Sequence, residues 1–281
     1  MGIHEFTTNE TAWCPGCGNY GILKTLQGVL TELGKKPSEV LIAAGIGQAA
    51  KLPQYISANA YCGLHGRALP PAVAAKMVNE SLTVIVDSGD GDTYGEGGNH
   101  FLHNIRRNVD IAHFVHDNQI YGLTKGQVSP TTDACLPEPR NVCNLNMPFN
   151  PLLVALAAGA TFVARSFSGD QEHLASMMKA AIAHKGYALV DILQPCVSFN
   201  KVNTYAWYKE RVYVMEGHDA GNRLAAMEKS MEWGLRIPLG IFYEKEEATF
   251  HEKHSVLAKG GPLIDREDNI SAVRGFCREF V

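Results

Sequence analysis

The chain has 281 residues, 46% hydrophobic and 19% charged, enough to bury a sizeable core in one large or two small domains. A formal net charge of −4 disfavours a general nucleic-acid or membrane-surface binder, and no apolar run reaches membrane-span length. The opening Met1-Gly2-Ile3-His4-Glu5 lacks the basic-then-apolar layout of a secretion signal, so a cytoplasmic location is expected, with its seven cysteines free, metal-bound or catalytic.

Taken in chain order, the first feature is Trp13-Cys14-Pro15-Gly16-Cys17-Gly18. Two sulfurs three positions apart can grip one soft metal centre. A thioredoxin-like pair would follow a strand, and none precedes it. A zinc ribbon would want a second such pair, which is absent. Apolar residues at Ile22, Leu23, Leu26, Val29, Leu30 and Leu33 predict an amphipathic helix over 21–33, closed by Gly34. Residues 40–44 read as a strand ending in the Gly45-Ile46-Gly47 turn, and 69–79 as a helix with prolines at its start.

The clearest unit follows. Residues 82–87 form a buried strand, 97–108 a helix and 111–116 a second strand, a right-handed βαβ crossover. Helices at 151–159 and 171–184 alternate with strands at 161–166 and 188–193, the latter running into Gln194-Pro195-Cys196. From Thr204 the pattern loosens to an appended tail with a short strand at 237–242. The fold class is α/β, a mostly parallel sheet with helices on both faces. Residues 1–203 are expected to form the main domain and 204–281 an extension packed on it or on a partner.

Asp90 lies just after one strand and Asn118 just after the next. In open α/β sheets ligands gather beyond the carboxyl ends of strands. If the two strands are neighbours, a carboxylate, an amide oxygen and a backbone carbonyl at Ile120 supply half an octahedron for Mg²⁺. Gly89 and Gly91 let backbone approach closely, and the following helix start offers amides to phosphate. A lone Gly-Asp-Gly is more often an acidic turn; its placement with Asn118 and Gly122-Leu123-Thr124 favours a cofactor. No dinucleotide or nucleoside-triphosphate glycine motif is present.

Gly89-Asp90-Gly91 followed by Asp117-Asn118 resembles the thiamine-diphosphate signature. The wider text includes His65-Gly66-Arg67-Ala68-Leu69-Pro70, Arg106-Arg107-Asn108 and Tyr121-Gly122-Leu123-Thr124-Lys125-Gly126-Gln127. From Trp13 to about Phe242 it is similar to the beta subunits of 2-oxoacid:ferredoxin oxidoreductases, of the 2-oxoglutarate and pyruvate synthase type. The resemblance implies the diphosphate-binding half of a thiamine-diphosphate fold. Asp90, Asn118 and the Ile120 carbonyl would hold Mg²⁺. Gly89, Gly91, Asp92 and the backbone of Gly122, Leu123 and Thr124 would surround the diphosphate, with His65 nearby. Lys51 and Lys125 match lysines near the reacting end, where a cation attracts the substrate carboxylate; either is otherwise a solvated surface charge.

The resemblance also implies a 4Fe–4S cluster begun by Cys14 and Cys17, with Cys196 as the distant ligand. The family's further cysteine falls in the Gly45-Ile46-Gly47 turn, where this chain has Gln48. Cys62 is the expected substitute; a small buried apolar residue is its plain alternative. Gln48, water, a partner-supplied ligand, a three-iron cluster or no cluster are the others. Cys135, Cys143 and Cys277 have no motif context, and His100, His103, His113 and His116 read as packing residues.

The implied activity is coenzyme A-dependent oxidative decarboxylation of a 2-oxoacid, 2-oxoglutarate or a broad range favoured, with electrons passing to ferredoxin. No second thiamine-type domain is found, so an alpha subunit is expected to complete a shared active site. Rival readings are a clusterless non-oxidative decarboxylase or ligase subunit, motivated by Gln48, and a zinc-stabilised interaction module using Cys14, Cys17 and Cys196.

Overall fold

Short apolar runs alternate with amphipathic helices, and each run finds a place in one sheet. The structure, a computed structural model, describes residues 6–7, 9–134, 144–259, 261–267 and 270–279. Helix α1 (Gly18–Glu32) is followed by β1 (Val40–Ala44), β2 (Asn59–Cys62), α2 (Leu69–Val78), β3 (Thr83–Gly89), α3 (Gly98–Arg107) and β4 (Ile111–Asp117). Then come α4 (Pro151–Ala158), β5 (Phe162–Phe167), α5 (Gln171–Ala183) and β6 (Tyr187–Leu193). The tail supplies α6 (Tyr205–Lys209), β7 (Val212–Val214), α7 (Arg223–Ser230) and β8 (Ile237–Glu244).

The strand order is β2-β1-β3-β4-β6-β5-β8-β7. Every pairing is parallel except that of β5 with β8. The α/β class is therefore as expected. The tail, read as an extension, puts β7 and β8 into this same sheet. Strand β2 escapes sequence reading because Asn59-Ala60-Tyr61-Cys62 has no apolar alternation; it is an exposed edge held to β1.

Successive strand residues point to opposite faces, and this parity builds two cores. Ile42, Ile85, Phe114 and Val190 pack beneath Ile22, Leu26 and Leu30 of α1 and Leu174 and Met178 of α5. Val84, Val86, Val115 and Leu189 pack on the other face, against Val73 of α2, Phe101 and Ile105 of α3 and Leu152 and Leu156 of α4. Central strands buried on both faces explain the continuous apolar runs. Because β1, β3, β4 and β6 are adjacent and parallel, their carboxyl ends share one edge. Residues 45–48, Asp90, Asn118 and residues 194–196 leave the sheet there.

Candidate active site

Register pairs Gly89 of β3 with His116 of β4, so the chain leaves the sheet at Asp90 and Asn118 side by side. One cavity is lined by Asp90, Asn118 and Ile120, together with His65, Gly89, Gly91, Asp92, Gly122, Leu123 and Thr124. Its walls also include residues 46–49 and Tyr121. Gln119, left-handed at φ 57°, reverses the chain between Asn118 and Ile120, and the Ile120 N–H donates to Asn118 Oδ1 at 3.0 Å. Such a backbone conformation costs a non-glycine residue about 1–2 kcal/mol and persists where the surroundings enforce it. A Cβ on Gly91 would lie 2.2 Å from the Tyr121 ring, so only glycine fits.

Asp90 is buried at the start of a π-helical turn spanning Gly91–Glu96. The hydroxyls of Ser129 and Thr131 donate to its Oδ2, at 2.5 and 2.6 Å. Burial pushes its carboxyl up to about 6, against those two hydroxyls. Carboxylate, amide and carbonyl oxygens are the donors a small hard cation takes, so this set fits Mg²⁺. Sequence reasoning missed Ser129 and Thr131, because nothing in the spacing ties a distant loop hydroxyl to a strand-end carboxylate.

Asp92 lines the cavity, but its carboxylate is committed elsewhere. Oδ1 accepts from the Ile46 N–H at 3.0 Å and the Gly66 N–H at 2.7 Å, and stands 2.8 Å from His65 Nδ1. It thus ties the turn after β1 to the His65 loop.

A second cavity lies alongside, lined by Trp13, Cys14, Cys17, Asn19, Gln48, Asn118, Gly122, Gln194, Cys196 and residues 197–199. Pro15 and Gly16 occupy the middle of a tight turn, with Gly16 at φ 79° and the Cys17 N–H donating to the Cys14 carbonyl at 3.0 Å. Proline followed by a left-handed glycine is the type II pattern, and it brings the two sulfurs round to α1. Cys17 caps that helix. Burial pushes its thiol up to about 11, with Cys196 and Cys14 adding to the rise. A redox-active pair needs a lowered thiol, and this one is raised. Among the described residues no three His, Cys, Asp or Glu side chains converge on single-ion geometry.

Cys62 does not line this cavity, and the expectation that it replaces the missing cysteine loses its geometric support. It stands exposed on the edge strand β2, with Sγ 4.0 Å from the Ala50 carbonyl. The residue whose side chain does line the cavity is Gln48. Neither lysine lines the oxygen-lined cavity: Lys51 is half-buried in a short helical segment, and Lys125 is exposed at the tip of the Tyr121–Gln127 hairpin. Cys135 and Cys143 lie outside the described residues, and Cys277 is exposed.

Behind the edge sits a buried polar layer that the sequence did not disclose. Asp191 accepts from Tyr94 at 2.9 Å and from Arg165 at 3.3 Å, and Thr131 Oγ1 lies 2.8 Å from Asp117 as well as against Asp90. His116 is held between Asp87 at 3.0 Å and Asn19 at 2.8 Å; His113 bonds Tyr187 and Ser88, and burial pushes it down to about 3. Both histidines are satisfied packing residues.

Residues 40–192 match a family model described as thiamine pyrophosphate enzyme, C-terminal TPP binding domain. Residues 196–259 match a second model, for the C-terminal part of the pyruvate ferredoxin oxidoreductase beta subunit. The chain is 44% identical over 291 residues to a 2-oxoacid:ferredoxin oxidoreductase subunit beta of Saccharolobus solfataricus, covering 91% of this chain and 94% of that one. It is 30% identical over 256 residues to a 2-oxoglutarate synthase subunit KorB of Methanocaldococcus jannaschii, covering 88% and 93%. A solved 2-oxoglutarate:ferredoxin oxidoreductase from Magnetococcus marinus, with 2-oxoglutarate, coenzyme A and succinyl-CoA bound, superposes with a TM-score of 0.88 at 34% identity. That match covers 98% of this chain and 96% of its counterpart.

Proposed function

The chain belongs to the family of 2-oxoacid:ferredoxin oxidoreductase beta subunits, thiamine-diphosphate enzymes that work in a complex, and from that premise we propose its particular reaction. With an alpha subunit it carries out coenzyme A-dependent oxidative decarboxylation of a 2-oxoacid, 2-oxoglutarate or a broad range. Electrons leave through a 4Fe–4S cluster to ferredoxin. The observation that carries the reading is adjacency: the oxygen-lined and cysteine-lined cavities share Gln48, Asn118 and Gly122. The 2-oxoglutarate and coenzyme A named for the solved relative support the choice of substrates.

Thiamine diphosphate, when bound, would supply an electron sink for decarboxylation, and a cluster held beside it would supply a one-electron acceptor. The chain's residues do the rest. Asp90, Asn118 and the Ile120 carbonyl hold Mg²⁺, while the backbone around Gly89, Gly91 and Gly122 to Thr124 receives the diphosphate. Asp92 acts through backbone, fixing the Ile46 turn and the Gly66 loop that carries His65 to the cavity wall. Cys14, Cys17 and Cys196 hold the cluster. Lys51 and Lys125, outside the cavity wall, are proposed to draw the substrate carboxylate toward its mouth.

The test is anaerobic co-purification with the alpha subunit, followed by viologen reduction. Reduction that requires 2-oxoglutarate, coenzyme A and thiamine diphosphate together supports the proposal. Carbon dioxide release with an aldehyde product and no viologen reduction would replace it with the non-oxidative reading.

A further inference from the structure

We propose that the side-chain oxygen of Gln48 is the fourth protein ligand of the iron–sulfur cluster, giving one iron an oxygen donor among three thiolate-held neighbours. The inference rests on the cluster reading above and deepens it. Gln48 shares its cavity with Cys14, Cys17 and Cys196, and its Oε1 is buried without a hydrogen-bond partner. Buried amide oxygens are rarely left so, and this one belongs to a residue of the cavity wall, where a bound group could satisfy it.

The backbone holds this residue in place. Trp13, the neighbour of Cys14, donates its indole N–H to the Gln48 carbonyl at 2.8 Å, and is itself packed edge-on against Tyr20 and Tyr55. The two ends of the ligand set are thereby tied together. Gln194 also lines the cavity and its Oε1 is likewise buried without a partner, but its amide is oriented by Nε2, which donates to Cys17 Sγ at 3.5 Å and to the Pro195 carbonyl at 3.0 Å. That geometry makes it a donor to a ligand sulfur. Cys62, exposed on β2, is outside the cavity.

An amide oxygen binds iron more weakly than a thiolate and brings no negative charge. The iron it holds is therefore the one to leave first, and the cluster potential lies above that of an all-thiolate cluster. On oxidation a cubane in the 2+ state gives one electron to ferricyanide and releases one ferrous ion. The product is a three-iron cluster in the 1+ state, visible by electron paramagnetic resonance.

The experiment uses the native complex purified anaerobically, with iron and sulfide analysis, spin resonance and potentiometry. Four irons per chain, converting quickly to the three-iron signal, are expected of the wild type. Gln48→Glu, which keeps an oxygen donor, should hold four irons; Gln48→Leu should isolate with three. Gln48→Cys should resist conversion and titrate at a lower potential, and Cys62→Ser should change none of these readings. Four irons in Gln48→Leu with wild-type conversion kinetics, or loss of the fourth iron in Cys62→Ser, would overturn the assignment. A four-iron cluster indifferent to Gln48 sinks this inference alone, whereas protein without iron and sulfide sinks the cluster reading as well.

Discussion

Asp90 and Asp117 compete for one hydroxyl proton. Thr131 Oγ1 lies 2.6 Å from the first and 2.8 Å from the second, and a hydroxyl carries a single hydrogen. One carboxyl must therefore carry a proton of its own. Burial with Asp191 and Asp90 nearby drives Asp117 well above the carboxylate range, while Asp90 is pushed only to about 6. The proton belongs on Asp117, which leaves Asp90 anionic for the cation. Below about 6 the folded apo chain protonates Asp90, and Mg²⁺ must displace that proton. Affinity for magnesium thiamine diphosphate should be flat above that value and fall about tenfold per pH unit beneath it, read by titration calorimetry. The sign for the fold itself is opposite. A carboxyl raised above its unfolded value binds protons more readily when folded, so the apo chain gains stability as pH falls through about 6. Asp90→Asn removes the buried charge while keeping its shape. It should lower cofactor affinity at least about a hundredfold and leave apo melting equal or higher.

At the scale of elements, Asn108 closes α3 in the left-handed conformation, φ 55° and ψ 50°. Its side chain is a four-way junction. Oδ1 accepts from the Tyr187 N–H at 2.9 Å and the Thr161 hydroxyl at 2.8 Å, and Nδ2 donates to the Glu247 and Ala248 carbonyls at 3.2 Å each. One residue thus fastens α3 to β6, β5 and the chain beyond β8. Asn108→Ala strands these groups and strains the backbone. With roughly 1–3 kcal/mol for each buried group left unpaired, a loss of about 3 kcal/mol or more is expected in urea unfolding. Asn108→Gly keeps the conformational freedom and loses the bonds, and should be less damaging by about 1 kcal/mol. The runs at 40–44, 82–87, 111–116 and 188–193 were legible as strands because a doubly covered parallel strand must be apolar throughout. The order of those strands was not, nor was β2, whose exposed edge position imposes no pattern. Asp90 and Asn118 were legible as side chains at two strand ends, which the structure brings to one cavity. The hydroxyls of Ser129 and Thr131 were not, because only the folded loop brings them to the carboxylate.

Across the whole molecule, the oxygen-lined cavity opens at a sheet edge bordered by apolar surface. Ile46, Leu64 and Leu123 are exposed beside it, with Tyr61 on β2. Leu64, 77% exposed, precedes His65 in the loop that Asp92 anchors, so it is presented rigidly to solvent. These apolar side chains at the cavity mouth are the surface on which the alpha subunit is expected to dock. Burying one leucine contributes about 1.5–3 kcal/mol, and placing a carboxylate there adds a desolvation cost. Leu64→Asp should weaken assembly with the alpha subunit by at least about a hundredfold while leaving the melting of the isolated chain unchanged. The isolated wild-type chain should bind magnesium thiamine diphosphate and reduce no viologen with any 2-oxoacid; adding the alpha subunit should restore turnover to it and fail to restore it to Leu64→Asp. Size-exclusion chromatography and anaerobic assays across an alpha-subunit titration measure both arms. Turnover by the isolated chain would show the mouth to be complete as it stands, and full assembly of Leu64→Asp would place the partner on a different face.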